Sequence, residues 1–320
     1  MFSLAAILLP LVLISGCGVY RQPIRVAVNP WPGYAMLYLA DELGYFREEE
    51  IDVQLLELTS LGDVRRNFAM GRADVMACTL IEFLLVAANQ DQYPSIIHIA
   101  DYSKGADVLL ASSKYQSIKD LRGARIGFEP STLDAINLHA ALSHAGMSLS
   151  DVQLVPVHAT DKVEAFQTDK VDAVQCYPPD SLTLAADKHV NKLFDSSEIP
   201  KMIVDVLVVD TDWLHANRSR AAALRRAYSR AYDFYASDPD AACEIMARRM
   251  GMSIDDFRLA MQGIELVTPA QQDSFFGEAG LLLPALGLTA EAMKSIGMLP
   301  GPFNIDRERI SACSAGAPLK

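Results

Sequence analysis

The sequence predicts a two-lobe α/β fold whose halves are joined by two hinge segments. Three observations carry it: a strand–helix–strand pattern that occurs twice, a nearly constant offset between the copies, and a long apolar connector after each copy. Arg25-Val26-Ala27-Val28-Asn29 is echoed by Arg125-Ile126-Gly127-Phe128-Glu129, 100 positions on. The run from Val53 to Leu58 returns as Val152 to Val157 at an offset of 99, and Gly71 to Cys78 returns as Asp169 to Cys176 at 98. Short apolar strands resemble one another, so a single match says little. Three in the same order argue for one β-α-β-α-β plan used twice.

Residues 1–16, MFSLAAILLPLVLISG, are apolar and carry no ionisable side chain. The run is too short for a membrane helix of ~20 residues and has Pro10 in its middle, so it reads as the apolar part of an export signal without the usual positive start. Ile14-Ser15-Gly16-Cys17 resembles the bacterial lipoprotein processing motif. That resemblance implies cleavage before Cys17 and acylation there, a lipid anchor in the cell membrane or outer membrane, and a chain facing the periplasm or the cell exterior. Two or three acyl chains anchor stably where one is marginal. The other cysteines, Cys78, Cys176, Cys243 and Cys313, form no CxxC pair and no zinc-ligand spacing, and their spacing leaves any disulfide open.

The elements after the signal follow from local pattern. Tyr34 to Gly44 places Met36, Leu37, Ala40 and Leu43 on one helical face, and Leu61 to Met70 does the same with Leu61, Val64, Phe68 and Ala69. A helix from Thr132 to Gly146 runs from a capping Ser131 or Thr132 to a glycine stop. Thr160 to Thr168 repeats the loop-to-helix step. Strands separated by single helices run parallel, because the crossover returns the chain to the same end of the sheet. The apolar runs at Ser95 to Asp101, Val108 to Ala111 and Met202 to Asp210 supply the two crossings, near Tyr102 and Asp205. The rest is mainly helical and shows no third repeat, so it is expected to pack on the first lobe. Lobe one is expected at 20–104 plus 207–320 and lobe two at 105–206.

The formal net charge is −12, from 40 Asp and Glu against 28 Lys and Arg, and 51% of residues are hydrophobic. That apolar content excludes a disordered chain, and the acidity sets most of the surface against a phosphate backbone. Arg218, Arg220, Arg225, Arg226 and Arg230 form a local basic cluster, either a solvated face that neutralises nearby acid or a docking surface.

In parallel α/β sheets the loops beyond the strand C-terminal ends form the crevice where ligands sit. The repeat therefore nominates Asn29 to Tyr34 and Pro130 to Thr132, then Thr59-Ser60 and His158 to Asp161, then Thr79 to Glu82 and Tyr177 to Asp180, with Asp101, Tyr102 and Asp205 from the hinge.

The opening run from Arg25 to Glu57, the Gly71-Arg72-Ala73-Asp74-Val75 turn and the Leu121 to Gly127 run resemble the nitrate/taurine/sulfonate and thiamine-precursor (NMT1/THI5-like) class of ABC-transporter solute-binding proteins, over roughly residues 24 to 240. The resemblance implies a type II periplasmic binding-protein fold, a Venus flytrap that closes over a small solute, and a membrane permease as partner to a monomeric protein. The family's aromatic loop matches Trp31 to Tyr34, its polar strand ends match Ser60 and Thr79, and its second-lobe helix start matches Ser131 and Thr132.

The crevice residues bear on the solute's charge. Glu82, Asp101, Glu129, Asp161, Asp180 and Asp205 are acidic, against Lys104 and Lys162. Trp31, Tyr34, Tyr102 and Tyr177 offer ring faces to a cation or a flat heterocycle. The expected ligand set is Trp31, Tyr34, Ser60, Thr79, Glu82, Asp101, Tyr102, Ser131, Thr132, Tyr177 and Asp205, around a small nitrogen-containing cationic or pyrimidine-like solute. Bland roles stay open: Trp31 and Tyr34 as loop packing, Asp205 as a hinge carboxylate, Glu82 as a helix start, Ser131 and Thr132 as caps. The alternatives are a sulfonate, taurine or nitrate-type anion, a sensing lipoprotein for a membrane signalling protein, or an enzyme of pyrimidine metabolism. Catalysis has little support: the six histidines are dispersed, and His139 and His144 sit about 140° apart on a helix. No nucleophile elbow, Walker loop or HExxH occurs, and no metal or cofactor is expected.

Overall fold

The computed structural model describes residues 22–89, 92–276 and 280–299. The export segment, Cys17 and Cys313 lie outside the described residues. The chain begins with β1 (Ile24–Val28), α1 (Ala35–Glu42), α2 (Tyr45–Glu48), β2 (Val53–Glu57), α3 (Leu61–Ala69), β3 (Val75–Thr79), α4 (Leu80–Ala87) and β4 (Pro94–Ser103). It crosses to β5 (Val108–Ser112), β6 (Arg125–Phe128), α5 (Leu133–His144), β7 (Gln153–Pro156), α6 (Lys162–Gln167), β8 (Ala173–Cys176), α7 (Asp180–Ala185) and β9 (Val190–Asp195). It returns through β10 (Val204–Asp210), then α8 (Thr211–Ala216), α9 (Arg218–Ser237), α10 (Pro239–Arg249), α11 (Ile254–Gln262), β11 (Ile264–Leu266), α12 (Gln272–Phe276) and α13 (Leu282–Ser295).

Two sheets result, ordered β11-β4-β10-β3-β1-β2 and β7-β6-β8-β5-β9. β1 runs parallel to β2 and β3, and β6 runs parallel to β7 and β8, as single-helix crossovers require. β3 is buried along its whole length, the mark of a strand covered on both faces. The repeat is visible in side chains. Arg25 grips Asp74 through Nε and Nη2 at 3.0 and 2.8 Å, and Arg125 grips Asp172 the same way at 3.0 and 3.2 Å. Each forked pair ties the start of one strand to the turn before its parallel neighbour.

The connectors depart from a purely parallel plan. β10 inserts between β3 and β4 and is antiparallel to both, because the chain leaves the first sheet along β4 and re-enters in the opposite sense. Its ladder already pairs Val204 with Tyr102 and Asp205 with Asp101. Val204, Asp205 and Val206 thus belong to the first sheet, although the sequence alone assigns residues up to 206 to the second lobe. Ser103 Oγ and Ser196 Oγ, 2.6 Å apart, join the two crossings. The architecture is a two-lobe α/β fold of the Venus-flytrap kind.

The C-terminal helices pack on the first sheet's side of the molecule: α9 lies against α1 and α2, α10 against α1, and β11 extends the sheet beside β4. In the basic cluster, Arg226 Nε donates to Glu49 at 2.8 Å and Arg230 pairs with Glu48, so this face neutralises local acid. Cys78, Cys176 and Cys243 are buried free thiols.

Candidate functional site

The loops at the strand ends of the two lobes meet. After β1, the segment Asn29 to Tyr34 turns through a short 3-10 helix at Pro32–Tyr34, which presses Trp31 and Tyr34 inward. After β8, Tyr177 comes from the other lobe. Its ring meets Trp31 edge to face with centroids 5.8 Å apart, and Asn29 Nδ2 donates to its hydroxyl at 3.3 Å. Together these close a cavity of about 10 Å³, room for about one water. A larger solute enters only when the lobes part.

Trp31, Tyr34, Tyr177 and Asp205 line the cavity, with Asn29, Asp107 and three apolar residues. Two of the apolar residues, Leu61 and Leu133, are the first residues of α3 and α5. The caps just before them are Ser60, which accepts from the Asp63 amide at 3.1 Å, and Thr132, whose hydroxyl donates to the Glu129 carbonyl at 2.8 Å. The third apolar residue, Ile203, leads into β10.

Carboxyl groups dominate the polar wall. Tyr34 donates its hydroxyl to Asp205, and Trp31 Nε1 donates to Asp101 at 3.2 Å. Asp101 and Asp205 are opposite each other on the β4–β10 ladder, two buried carboxyls whose simultaneous ionisation is costly. Burial raises both pKa values above the ordinary carboxylate range, and the neighbouring Asp101 charge raises Asp205 further. Burial also pushes Asp107 up to about 7. The nearest buried cation is Lys162, whose Nζ donates to Asp134 at 2.6 Å and lies 5.4 Å from the Tyr177 ring centre. Burial works against its charge, but Asp134 outweighs burial and its pKa is raised.

Seven of the eleven expected positions are absent from the cavity's described lining: Ser60, Asp101 and Thr132 lie next to lining residues, and Thr79, Glu82, Tyr102 and Ser131 sit elsewhere. Thr79 and Glu82 are not in the cavity wall: β3 passes directly into α4, with no loop between them. Glu82 instead folds back into a capping box, accepting from the Thr79 amide at 3.1 Å and its hydroxyl at 2.5 Å. Burial pushes Glu82 up to about 7. Tyr102 points toward Glu265, opposite it on β11, rather than into the cavity. Ser131 is exposed in a left-handed turn with φ 58°, so the buried cap is Thr132. Asp107 was missed by sequence reasoning. Its signal is positional, since it precedes β5 in the outward crossing much as Asp205 opens the return strand.

Among the described residues, no group of three His, Cys, Asp or Glu side chains is placed to hold a metal ion. Likewise, no helix there is long and apolar enough to cross a membrane.

The chain is 25% identical to the taurine-binding periplasmic protein of Escherichia coli over 230 residues, 69% of this chain and 71% of that one. It is 24% identical to the 4-amino-5-hydroxymethyl-2-methylpyrimidine phosphate synthase THI11 of Saccharomyces cerevisiae over 225 residues, 66% of each. In structure it resembles the alkanesulfonate-binding protein SsuA of Xanthomonas axonopodis pv. citri bound to MOPS, with a TM-score of 0.73 at 16% identity over 88% of this chain and 96% of that one. The NMT1/THI5-like family model matches residues 31–242, and the chain belongs to that family.

Proposed function

We propose that the protein is the extracytoplasmic solute-binding component of an ABC importer, which closes two lobes over a small nitrogen-bearing solute and hands it to a membrane permease without covalent chemistry. The observation that supports this reading is the cavity wall. Three aromatic rings from both lobes meet there with the carboxyls of Asp107 and Asp205, and no Lys or Arg is among the described residues lining it. Ring faces and carboxylates suit an amine or a flat nitrogen heterocycle, whereas a carboxylate beside a bound anion costs repulsion. The family membership and the two-lobe fold support the transport role. The lipoprotein-like sequence at Cys17, outside the described residues, supports an anchored, extracytoplasmic location.

A second reading has its own support. The taurine-binding and alkanesulfonate-binding relatives favour a sulfonate-type anion. Carboxyls that keep their protons donate hydrogen bonds, so the Asp101–Asp205 pair is compatible with an anion at low pH.

Calorimetric titration with amines, pyrimidines, taurine, alkanesulfonates and nitrate at several pH values separates the two. As pH rises, Asp107 and the Asp101–Asp205 pair ionise, so a cationic solute binds more tightly and an anion more weakly. Tighter anion binding at low pH, with amines and pyrimidines inert, overturns the nitrogen-bearing assignment and leaves the binding-protein role intact. Chemical turnover of a solute overturns that role, and co-purification with a membrane sensor in place of any solute moves it to signalling. Intact-mass measurement of membrane-extracted protein checks Cys17: an unmodified cysteine rules out the anchor.

A further inference from the structure

We propose that the first lobe carries a second ligand site, separate from the interlobe cavity, which binds a small organic oxyanion, a carboxylate or a phosphate, between His98 of β4 and the guanidinium groups of α9. Where α9 crosses β4, a cavity of about 320 Å³ lies between them. That is the lower end of the size range for small-molecule sites. Its walls include His98, Arg225, Arg226, Ser229 and Gln272, and none of these lines the interlobe cavity.

His98 is the observation that points to a ligand. It is 1% exposed, and neither ring nitrogen has a hydrogen-bond partner. One face of its ring is covered by Tyr228, centroids 4.3 Å apart. A buried imidazole without partners forfeits the hydrogen bonds it made in water, so a native structure calls for a group to restore them. Burial, with the Arg225 charge adding to it, holds the ring neutral by lowering its pKa to about 3, so it offers one N–H donor.

The rest of the wall selects the sign of the ligand. Arg225, Arg226 and the Ser229 hydroxyl all donate, and no carboxylate is among the described residues lining the cavity. Arg226 is shared with Glu49, 2.8 Å from its Nε. Gln272 is committed to the Ile99 backbone, accepting from its amide at 3.1 Å and donating to its carbonyl at 2.8 Å, and so forms a rigid wall. A cation would face two guanidinium groups, and an apolar guest would leave the His98 ring nitrogens unpaired. An oxyanion accepts from Arg225, Ser229 and His98 together, and a guanidinium fork is shaped for that geometry. Tyr228 links the two sites: its ring lies on His98 and its hydroxyl donates to the Gly33 carbonyl at 3.3 Å, in the loop that carries Trp31 and Tyr34.

The test uses the full chain after signal removal, with inorganic phosphate and succinate as probes at fixed ionic strength. The readout is ring-nitrogen NMR of labelled histidine, with His98 assigned through His98→Gln. A saturable shift of the His98 signals is expected with at least one probe, phosphate or succinate identifying which oxyanion the site prefers. Arg225→Gln should weaken that binding by about tenfold or more, the loss of one charge-assisted hydrogen bond. Ser229→Glu places a carboxylate in the cavity and should abolish the shift, and it carries the test alone if Arg225→Gln fails to fold. Overturning results are a His98 signal that does not saturate with either probe, as for ordered water only, or a shift that persists unchanged in folded Ser229→Glu.

Discussion

Trp31 of the first lobe meets Tyr177 of the second edge to face, ring centroids 5.8 Å apart and planes at 85°. The pair spans the two lobes, so it exists only when they are closed, and each partner is held from behind. Asp101 accepts from the Trp31 indole at 3.2 Å, and Asn29 donates to the Tyr177 hydroxyl at 3.3 Å. Closure and the cavity wall therefore depend on the same few side chains.

Removing one ring tests that dependence. An edge-to-face pair contributes about 0.5–1.5 kcal/mol beyond its buried area. Tyr177→Ala should weaken solute binding by about tenfold or more, while Tyr177→Phe, which loses only the Asn29 contact, should stay within a few-fold of the native protein. Calorimetric titration reads both. An alanine variant that binds as tightly as the native protein would remove this ring from the site.

Gly33 is required by a close approach. A Cβ there would overlap Asp101 Oδ2 and Trp31 Nε1, which form the longer, 3.4 Å arm of the indole–carboxylate contact. Gly33→Ala should displace Trp31, destabilise the fold by about 1–3 kcal/mol as overpacking does, and cost most of the solute affinity. Urea unfolding and titration measure the two effects. Native affinity in the variant would show that the Trp31–Asp101 contact is dispensable.

The buried acids make stability fall as pH rises. Glu82 and Asp107 are each pushed up to about 7 by burial, and Asp101 and Asp205 are raised as well. In the unfolded chain such groups titrate near pH ~4. Between these values the folded state holds protons that the unfolded state has released. The stabilisation is therefore whole below pH ~4 and is lost as pH rises through the folded pKa values, at up to about 1.4 kcal/mol per pH unit for each group. His98, lowered to about 3, acts in the opposite sense and withdraws stability as pH falls below ~6.5. The clean window is thus about pH 6.5–8, where Asp205→Asn should melt higher and with a flatter pH dependence, by about 2–4 °C per kcal/mol regained. Parallel melting curves for variant and native protein would contradict the raised pKa of Asp205.

Lys162 and Asp134 form an ion pair whose side chains are only 2% and 1% exposed. Lys162→Met should cost about 3–5 kcal/mol, because it leaves a buried carboxylate unpaired. Adding Asp134→Leu should recover part of this, not all, since Asp134 also accepts from the Glu129 amide at 2.7 Å. Denaturant unfolding of the two variants decides it. A loss below about 1 kcal/mol in Lys162→Met would place the pair among weakly coupled contacts.

Much of the architecture was legible because its causes are local and repeated. The echo of Arg25 and Asp74 in Arg125 and Asp172 became two matching forks, and parallel pairing followed from one helix between successive strands. The aromatic loop was legible for the same reason: Trp31 and Tyr34 stand just past the end of β1, where such sheets open their crevice. The polar candidates separated differently. Thr79 and Glu82 satisfied a capping pattern plain in the sequence, and that local demand took both side chains away from the cavity wall. Ser131 and Thr132 are adjacent, and only the backbone turn decides that Ser131 faces water while Thr132 is buried.

By itself the sequence determined the doubled α/β plan, the strand-end loops and the acidic, aromatic character of the crevice, since periodicity, capping and charge act over a few residues. Only the tertiary structure decided which carboxyls share the site. Asp101 meets Asp205 because β10 returns antiparallel beside β4, and Asp107 joins them where the chain crosses between lobes. The proximity of residues so far apart in the chain depends on strand order and lobe closure, which no local pattern encodes. The raised pKa values that follow are a property of shared burial, not of any one residue.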